Sequence, residues 1–356
     1  MYNIASIGGT SLDRFKLIND ILNIENVNSI DQLKSLIDKN YIVVINGLKN
    51  NPKEEYAEFI DFLNTNNVHV IVDAMYEASI MKFHHIGLTT TTTLLTSNLL
   101  STHHDFFDNV ITVPYFVLQS YGLLKKVLDK QPVTIEEHLQ SSKKSFLCLN
   151  GVNKPSRRFV YDYCRQNNLI KDSIFSFVNR HAGNQTIKEY PTIMLDEDIQ
   201  DSDDGVTWDN DYRDSWFKDT FFNLVTESSA NNDANEGIEV LWQFDKCFFP
   251  TEKTFKPIFN NHPFICIADV DYHKNLKEHF GFELYDEIWD YDFDSIKEKE
   301  PRWLEVCDQV SYYQKQGIDY NKISEKLQHN QQIFLNEEQH KKTIGNILKQ
   351  IDNMYV

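Results

Sequence analysis

Residues 41–75 read YIVVINGLKNNPKEEYAEFIDFLNTNNVHVIVDAM. Two unbroken apolar runs, Tyr41–Gly47 and Val68–Met75, enclose a stretch in which Tyr56, Phe59, Ile60 and Leu63 recur at three- and four-residue steps. A run that is apolar at every position predicts a strand buried on both faces, and the three-to-four repeat predicts a helix with one buried stripe. Strand, helix and strand in that order is a βαβ unit, whose crossover demands a parallel sheet. Gly47 and Pro52 mark the way out of the first strand.

The same grammar extends outward. Asn3–Gly8 (NIASIG) predicts an earlier strand, Ser11–Asn23 a helix carrying Leu12, Phe15, Ile18 and Leu22, and Asn109–Phe116 a fourth strand. Thr89–Thr93 is a low-complexity run. Residues 130–144 (KQPVTIEEHLQSSKK) are polar, contain a proline and read as an interdomain linker. Beyond them Ser145–Asn150, Ser173–Asn179, Phe221–Glu227, Val240–Phe244, Pro263–Ala268 and the short Phe282–Tyr285 predict strands. Helices are expected after Lys154-Pro155, over Thr251–Asn260 with Pro257 bending or ending its first turns, and over Leu276–Phe280. About three more fill residues 298–352, and residues 196–214 are an acidic insertion. The expected fold class is α/β: two Rossmann-like doubly wound domains facing a cleft, with C-terminal helices. Their expected extents are 1–140, 141–330 and a last helix, 331–356, crossing back onto the first domain. Ligands of such sheets bind at the carboxyl ends of the strands.

With 356 residues, 41% of them hydrophobic and 24 Phe with 17 Tyr, the chain can fill two cores, which excludes bulk disorder. No run of 18 apolar residues predicts a membrane span, and MYNIASIGGTSLDRF lacks the pattern of a secretory signal. Five cysteines, 148, 164, 247, 266 and 307, have neither CxxC nor framework spacing. A cytoplasmic protein is expected. Its net charge of −18 argues against a broad phosphate-tracking surface. Residues 1–150 carry 12 basic and 16 acidic side chains, so the first half is the less repulsive toward an anionic partner.

Several motifs could carry chemistry. Gly8-Gly9-Thr10-Ser11 follows a strand and precedes a helix, where backbone amides can face a ligand or simply cap the turn. It is not GxGxxG, and GxxxxGK[ST] is absent. His84-His85 and His103-His104-Asp105 lack the spacing of metal ligands. A His or Asp among them suits a general base. Of five DxD matches, only Asp269-Val-Asp271 follows a strand, where a metal-dependent transferase of the GT-A kind would place it with manganese. The densest constellation is Glu227 at a strand end, then Phe249-Pro-Thr251-Glu252-Lys253-Thr254-Phe255-Lys256-Pro257-Ile258, then His262-Pro263-Phe264-Ile265. Thr251 is a natural N-cap, and the helix start offers amides and a positive dipole end to a diphosphate. Lys253 adds a charge, and Glu227 or Glu252 can accept from sugar hydroxyls.

This pattern, closing with GFE at 281–283, resembles the donor-binding domain of GT-B glycosyltransferases. It is closest to the fucosyltransferase/exostosin-like branch and to uncharacterised phage and giant-virus proteins of that type. The likeness covers about residues 145–290 and includes Phe146–Gly151 with Lys154-Pro-Ser-Arg157-Arg158. By resemblance Glu252 and Lys253 contact a nucleotide-diphosphate sugar. Glu227 is the upstream acid, and Gly151, Lys154 and Arg157 form the basic turn, with Thr251 at the helix cap. Asp286-Glu-Ile-Trp-Asp290-Tyr-Asp292 departs from the group's pattern. GT-B enzymes need no bound metal, so none is expected. The resemblance implies a glycosyltransferase whose first domain binds the acceptor and supplies a base from among Asp73, Glu77, His84, His103 and Asp105. The acceptor is a glycan or a modified base of phage DNA. A non-catalytic nucleotide-sugar binder, such as a phage sponge, is the competing reading.

Overall fold

A computed structural model describes residues 2–7, 12, 22–37, 41–46, 57–74, 87–97, 99, 107–118, 130–141, 144–151, 153–179, 189–195, 213–227 and 248–354. The chain divides into two compact units, Met1–Gly122 with Asp233–Phe249 and Glu337–Val356, and Leu123–Asn232 with Pro250–Asn336.

Unit 1 is built on β1 (Tyr2–Ile7), β2 (Leu22–Val27), β3 (Ile42–Asn46), β4 (Val70–Ala74), β5 (Thr92–Thr96) and β6 (Asn109–Thr112), in the order β2-β1-β3-β4-β5-β6. All pairings are parallel. The alternation along the strands sorts the two faces. Ala5, Ile7, Val43, Ile45, Val70, Val72 and Leu94 lie on one face, against Leu33 and Leu36 of α1 (Ile30–Ile37) and Phe59, Ile60 and Leu63 of α2 (Ala57–Thr65). On the other face Thr93 donates its hydroxyl to Met354, at the end of the last helix, Glu337–Asn353. Apolar residues fill both faces because both are covered.

Unit 2 carries β7 (Lys144–Asn150), β8 (Ile174–Phe177), β9 (Thr220–Thr226) and β10 (Phe264–Ile267), again all parallel, in the order β10-β9-β7-β8. Around it pack α3 (Pro155–Gln166), α4 (Glu252–Phe259), α5 (Tyr272–Phe280), α6 (Lys299–Gln316) and α7 (Ser324–Phe334). Phe159 of α3 meets Trp303 of α6 at 5.6 Å between ring centres, and Phe255 of α4 stacks on Phe334 of α7 at 5.6 Å. Each sheet edge is engaged at one residue. Ile193 bridges to Phe177 on β8, and the Cys266 N–H of β10 donates to His273 Nε2 at 3.1 Å. An unpaired edge would invite another strand, so these contacts matter. Two parallel sheets flanked by helices, with C-terminal helices added, are the doubly wound architecture expected from the alternation, consistent with a GT-B-like protein.

The structure refines several local expectations. The helix expected through Asn23 does not reach that far, because residues 22–27 form β2. As an edge strand it buries mainly Leu22 and Val27, so its polar middle hid the pattern. The threonine run leads into β5, all five of whose residues are buried, as suits a β-branched side chain on a pleated surface. Residues 130–144 are no free linker, since Ile135–Ser141 form a helix with Val133, Ile135 and His138 buried. Thr134 and Glu137 exchange bonds there, Thr134 N–H to Glu137 Oε2 at 2.9 Å and Glu137 N–H to Thr134 Oγ1 at 3.2 Å. That is a capping box. Finally, Phe282–Tyr285 is not a strand but an irregular apolar segment packed on Phe255, Phe280 and Phe264. Pro257 does not end its helix, which runs on to Phe259. The Gly8–Ser11 turn, most of the helix expected over residues 11–23, the acidic stretch 196–212 and the strand expected at 240–244 lie outside the described residues.

Candidate carboxyl-edge site of unit 2

In unit 2 the chain runs outward in both directions from the β7/β9 pair, which makes that pair the topological switch point. Connections leave it to opposite sides, and ligands of such sheets bind at the carboxyl ends of the two strands. The side chains there are polar, buried and bonded to one another. Thr226 Oγ1 donates to Asn150 Oδ1 at 2.6 Å across the pair, and the Asn150 N–H donates to Ser176 Oγ at 3.1 Å. Gly151, buried, carries the chain away from β7. Asn153 Nδ2 then donates to Asn179 Oδ1 at 2.7 Å and accepts on its own oxygen from Arg158 at 3.0 Å. Lys154 is the N-cap of α3 with Pro155 just inside, an arrangement that suits a proline lacking an N–H. Arg157 of the first turn is fully buried, and its charge acts on Cys148. Burial nevertheless pushes that thiol up to about 12.

One residue beyond β9, Glu227 is 0% exposed. Its Oε1 accepts from the Thr251 N–H at 3.0 Å, Thr254 Oγ1 at 2.6 Å and Tyr272 OH at 3.1 Å, and its Oε2 from Thr251 Oγ1 at 2.7 Å. The carboxylate thus ties the N-terminus of α4 and the start of α5 to the end of β9. Thr251 is the N-cap, in extended conformation, and its hydroxyl accepts from the Lys253 N–H at 3.4 Å. Lys253 Nζ donates to the same oxygen at 3.4 Å and to Glu252 Oε1 at 2.6 Å. The side chains of Lys253 and Glu252 are 16% and 7% exposed, so this ion pair is shielded from water. Charges shielded in this way interact more strongly than a surface pair would.

The structure therefore brings Glu227, Thr251, Glu252 and Lys253 into one bonded cluster, and sets Gly151 and Lys154 in the turn after β7 with Arg157 in the first turn of α3. Thr226, beside Glu227, is bonded to Asn150, beside Gly151. Asp73 is buried in β4 of unit 1. Glu77, His84, His103 and Asp105 lie outside the described residues. Sequence reasoning missed Asn150, Asn153, Asn179, Thr254 and Tyr272. Only Thr254, three residues past the cap, had a positional signal.

Past β10, Asp269 is buried and Asp271 holds a left-handed backbone at φ 59°. The nearby Asp294 accepts from His273 Nδ1 at 2.8 Å and from the N–H groups of His273 and Lys274, at 3.2 and 3.0 Å. Burial alone would raise its pKa, but His273 and the amides hold it below the ordinary carboxylate value. His273 Nε2 is occupied by the Cys266 N–H, so this Asp–His pair engages an edge strand and has no nitrogen left for a substrate. Among the described residues no group of three or more His, Cys, Asp or Glu is placed to hold a metal ion. An open pocket of about 650 Å³ lies elsewhere in unit 2, along residues 283–292 with Trp289, Tyr313 and Lys326 in its wall. None of the cluster residues lines it. Among the described residues no helix is long and apolar enough to cross a membrane.

Compared with family models, curated proteins and solved structures, the chain matches none.

Proposed function

We propose that this protein is a GT-B-type glycosyltransferase of the fucosyltransferase/exostosin-like branch. It transfers a sugar from a nucleotide-diphosphate donor to a hydroxyl acceptor. Unit 2 is the donor half. The observation that carries the reading is the bonded cluster of Glu227, Thr251, Glu252 and Lys253 at the start of α4, beside the switch point of a parallel sheet. That combination gives a diphosphate a helix N-terminus, a lysine and a rigid polar floor. Lys253, with Lys154 on the turn after β7 and Arg157 in the first turn of α3, offsets the charge that grows on the departing diphosphate. Glu252 accepts from a sugar or ribose hydroxyl once Lys253 turns to the ligand, and no metal takes part.

Unit 1 supplies the acceptor site and a general base, drawn from Asp73, His84, His103 and Asp105. The acceptor is a glycan or a hydroxymethylated base of phage DNA. The four cysteines among the described residues are free and buried, which supports a reducing, cytoplasmic setting.

Thermal unfolding with UDP-, GDP-, ADP- and CMP-sugars, EDTA present, tests the donor half. A ligand at a hundred times its Kd adds about 2.7 kcal/mol of apparent stability. One nucleotide class is expected to raise the Tm of the wild type and not that of Lys253→Ala. No rise with any of them contradicts the reading. Donor hydrolysis separates an enzyme from a nucleotide-sugar sponge, because a sponge holds its ligand without releasing free sugar.

A further inference from the structure

The following rests on the donor-site reading and assigns Glu227 a different task from the one its family resemblance implies. We infer that Glu227 is a positioning residue: it touches no donor, and it acts through the Thr251 hydroxyl to aim the ammonium of Lys253.

An ionised carboxylate only accepts. Oε1 already takes three donors and Oε2 takes the hydroxyl of Thr251, all inside a residue with no exposed surface. An acid meant to receive a sugar hydroxyl needs an oxygen that the sugar can reach, and Glu227 has none. What it does have is control of Thr251. A hydroxyl owns one hydrogen and two lone pairs. Because Oε2 can only accept, the Thr251 hydrogen must point at Glu227, and both lone pairs are left for Lys253. One receives its backbone N–H and the other its Nζ, each at 3.4 Å. The ammonium is thereby strung between a hydroxyl polarised by Glu227 and the Glu252 carboxylate at 2.6 Å. When a diphosphate draws Lys253 from Glu252, the Thr251 contact is the tether that keeps the ammonium over the helix start.

Glu227→Gln changes this logic with almost no change of shape. The side facing three donors keeps the amide oxygen, so the amide NH2 faces Thr251. Its hydroxyl then meets three donors with two lone pairs, and the Nζ contact, on the flexible side chain, is the one released.

The test compares wild type, Glu227→Gln and Thr251→Val in the full chain, with two readouts. The first is the acetylation rate of the Lys253 amine, followed by peptide mass spectrometry with Lys277 and Lys326 as internal controls. The second is calorimetric affinity for UDP, GDP, ADP and CMP. Both variants are expected to label severalfold faster at Lys253 and at unchanged rates at the controls. Affinity for whichever nucleotide the wild type binds is expected to fall about tenfold, the size of one charge-assisted hydrogen bond. A merely structural Glu227 would lower the Tm and leave Lys253 labelling in step with the controls, which overturns the inference. If Glu227→Gln does not fold, Thr251→Val alone decides the labelling. Wild type that binds none of these nucleotides overturns the donor reading instead, while the labelling still judges the relay.

Discussion

At the carboxyl edge of the unit 2 sheet, one buried carboxylate gathers four donors. At the amino edge two buried imidazoles gather backbone carbonyls. His138, on the helix Ile135–Ser141, donates from Nε2 to the Asn260 carbonyl at 2.8 Å, and His262 from Nε2 to the Thr220 carbonyl at 3.0 Å. The rings lie 5.0 Å apart, and Tyr320 stacks on His138 at 5.3 Å. Asn260 and Asn261 complete the clamp, exchanging bonds with the backbone of Val133 at 3.3 and 3.0 Å. The same sheet thus buries a charge at one end and excludes it at the other. The carboxyl end is arranged around ions that a ligand can rearrange, and the amino end is a neutral lock that fastens residues 130–141 to the sheet.

The sharpest way to break the carboxyl end is Glu227→Ala. It orphans the Thr251 amide and hydroxyl in a space closed to water, and leaves the hydroxyls of Thr254 and Tyr272, 2.7 Å apart, to pair with each other. A loss of about 3–5 kcal/mol is expected in urea unfolding, larger than for any single change at the amino end.

Acid breaks the amino end. Burial lowers the pKa of His138, against the pull of its carbonyl partners and of Glu137, while Lys218 lowers it further. Burial, and the charge that His138 would carry, hold His262 well below the ordinary histidine value. Glu137 is engaged by Lys218 at 2.7 Å, so it offers neither ring a free countercharge. The folded protein therefore keeps both rings neutral, whereas the unfolded chain takes up protons once the pH falls below about 6.5. Their contribution is complete above that pH and is lost as the pH drops toward the folded values. Each ring is expected to add a slope of at most about 1.4 kcal/mol per pH unit in this window. His138→Gln should flatten the curve between pH 6.5 and 4.5. A variant with the same slope as wild type would refute the neutral-lock account.

The smallest expected effect is at the capping box. Thr134→Ala removes the hydroxyl that receives the Glu137 amide, and about 1 kcal/mol is expected in chemical unfolding. Faster hydrogen exchange in residues 135–141 alone would locate the loss. A loss spread over the sheet would contradict a local cap.

What could be read beforehand follows from how each element is buried. β3, β4 and β7 are covered on both faces, so their apolar runs have no competing explanation. β2 is an edge, and β5 is rich in threonine. Neither shows an apolar run, although both obey the pleat. The segment 130–144 looked like a linker because its buried face is small, and the T-x-x-E signature at Thr134–Glu137 was the overlooked signal. At the site, the TEK segment stood out because a cap, an acid and a lysine sit side by side. Its support did not. Asn150 with Thr226, and Glu227 with Thr254 and Tyr272, are pairs made by the sheet and by the meeting of two helices, and no local spacing reveals them.

In the reading proposed above, a nucleoside-diphosphate sugar binds at the carboxyl edge of unit 2. Hydrogen exchange followed by mass spectrometry, with and without the sugar nucleotide that stabilises the protein, tests it most directly. Slower exchange is predicted at the amides of residues 251–254 and 151–158, with residues 130–141 and 260–262 unchanged. Protection confined to unit 1, or to the amino edge around His138, would contradict the account.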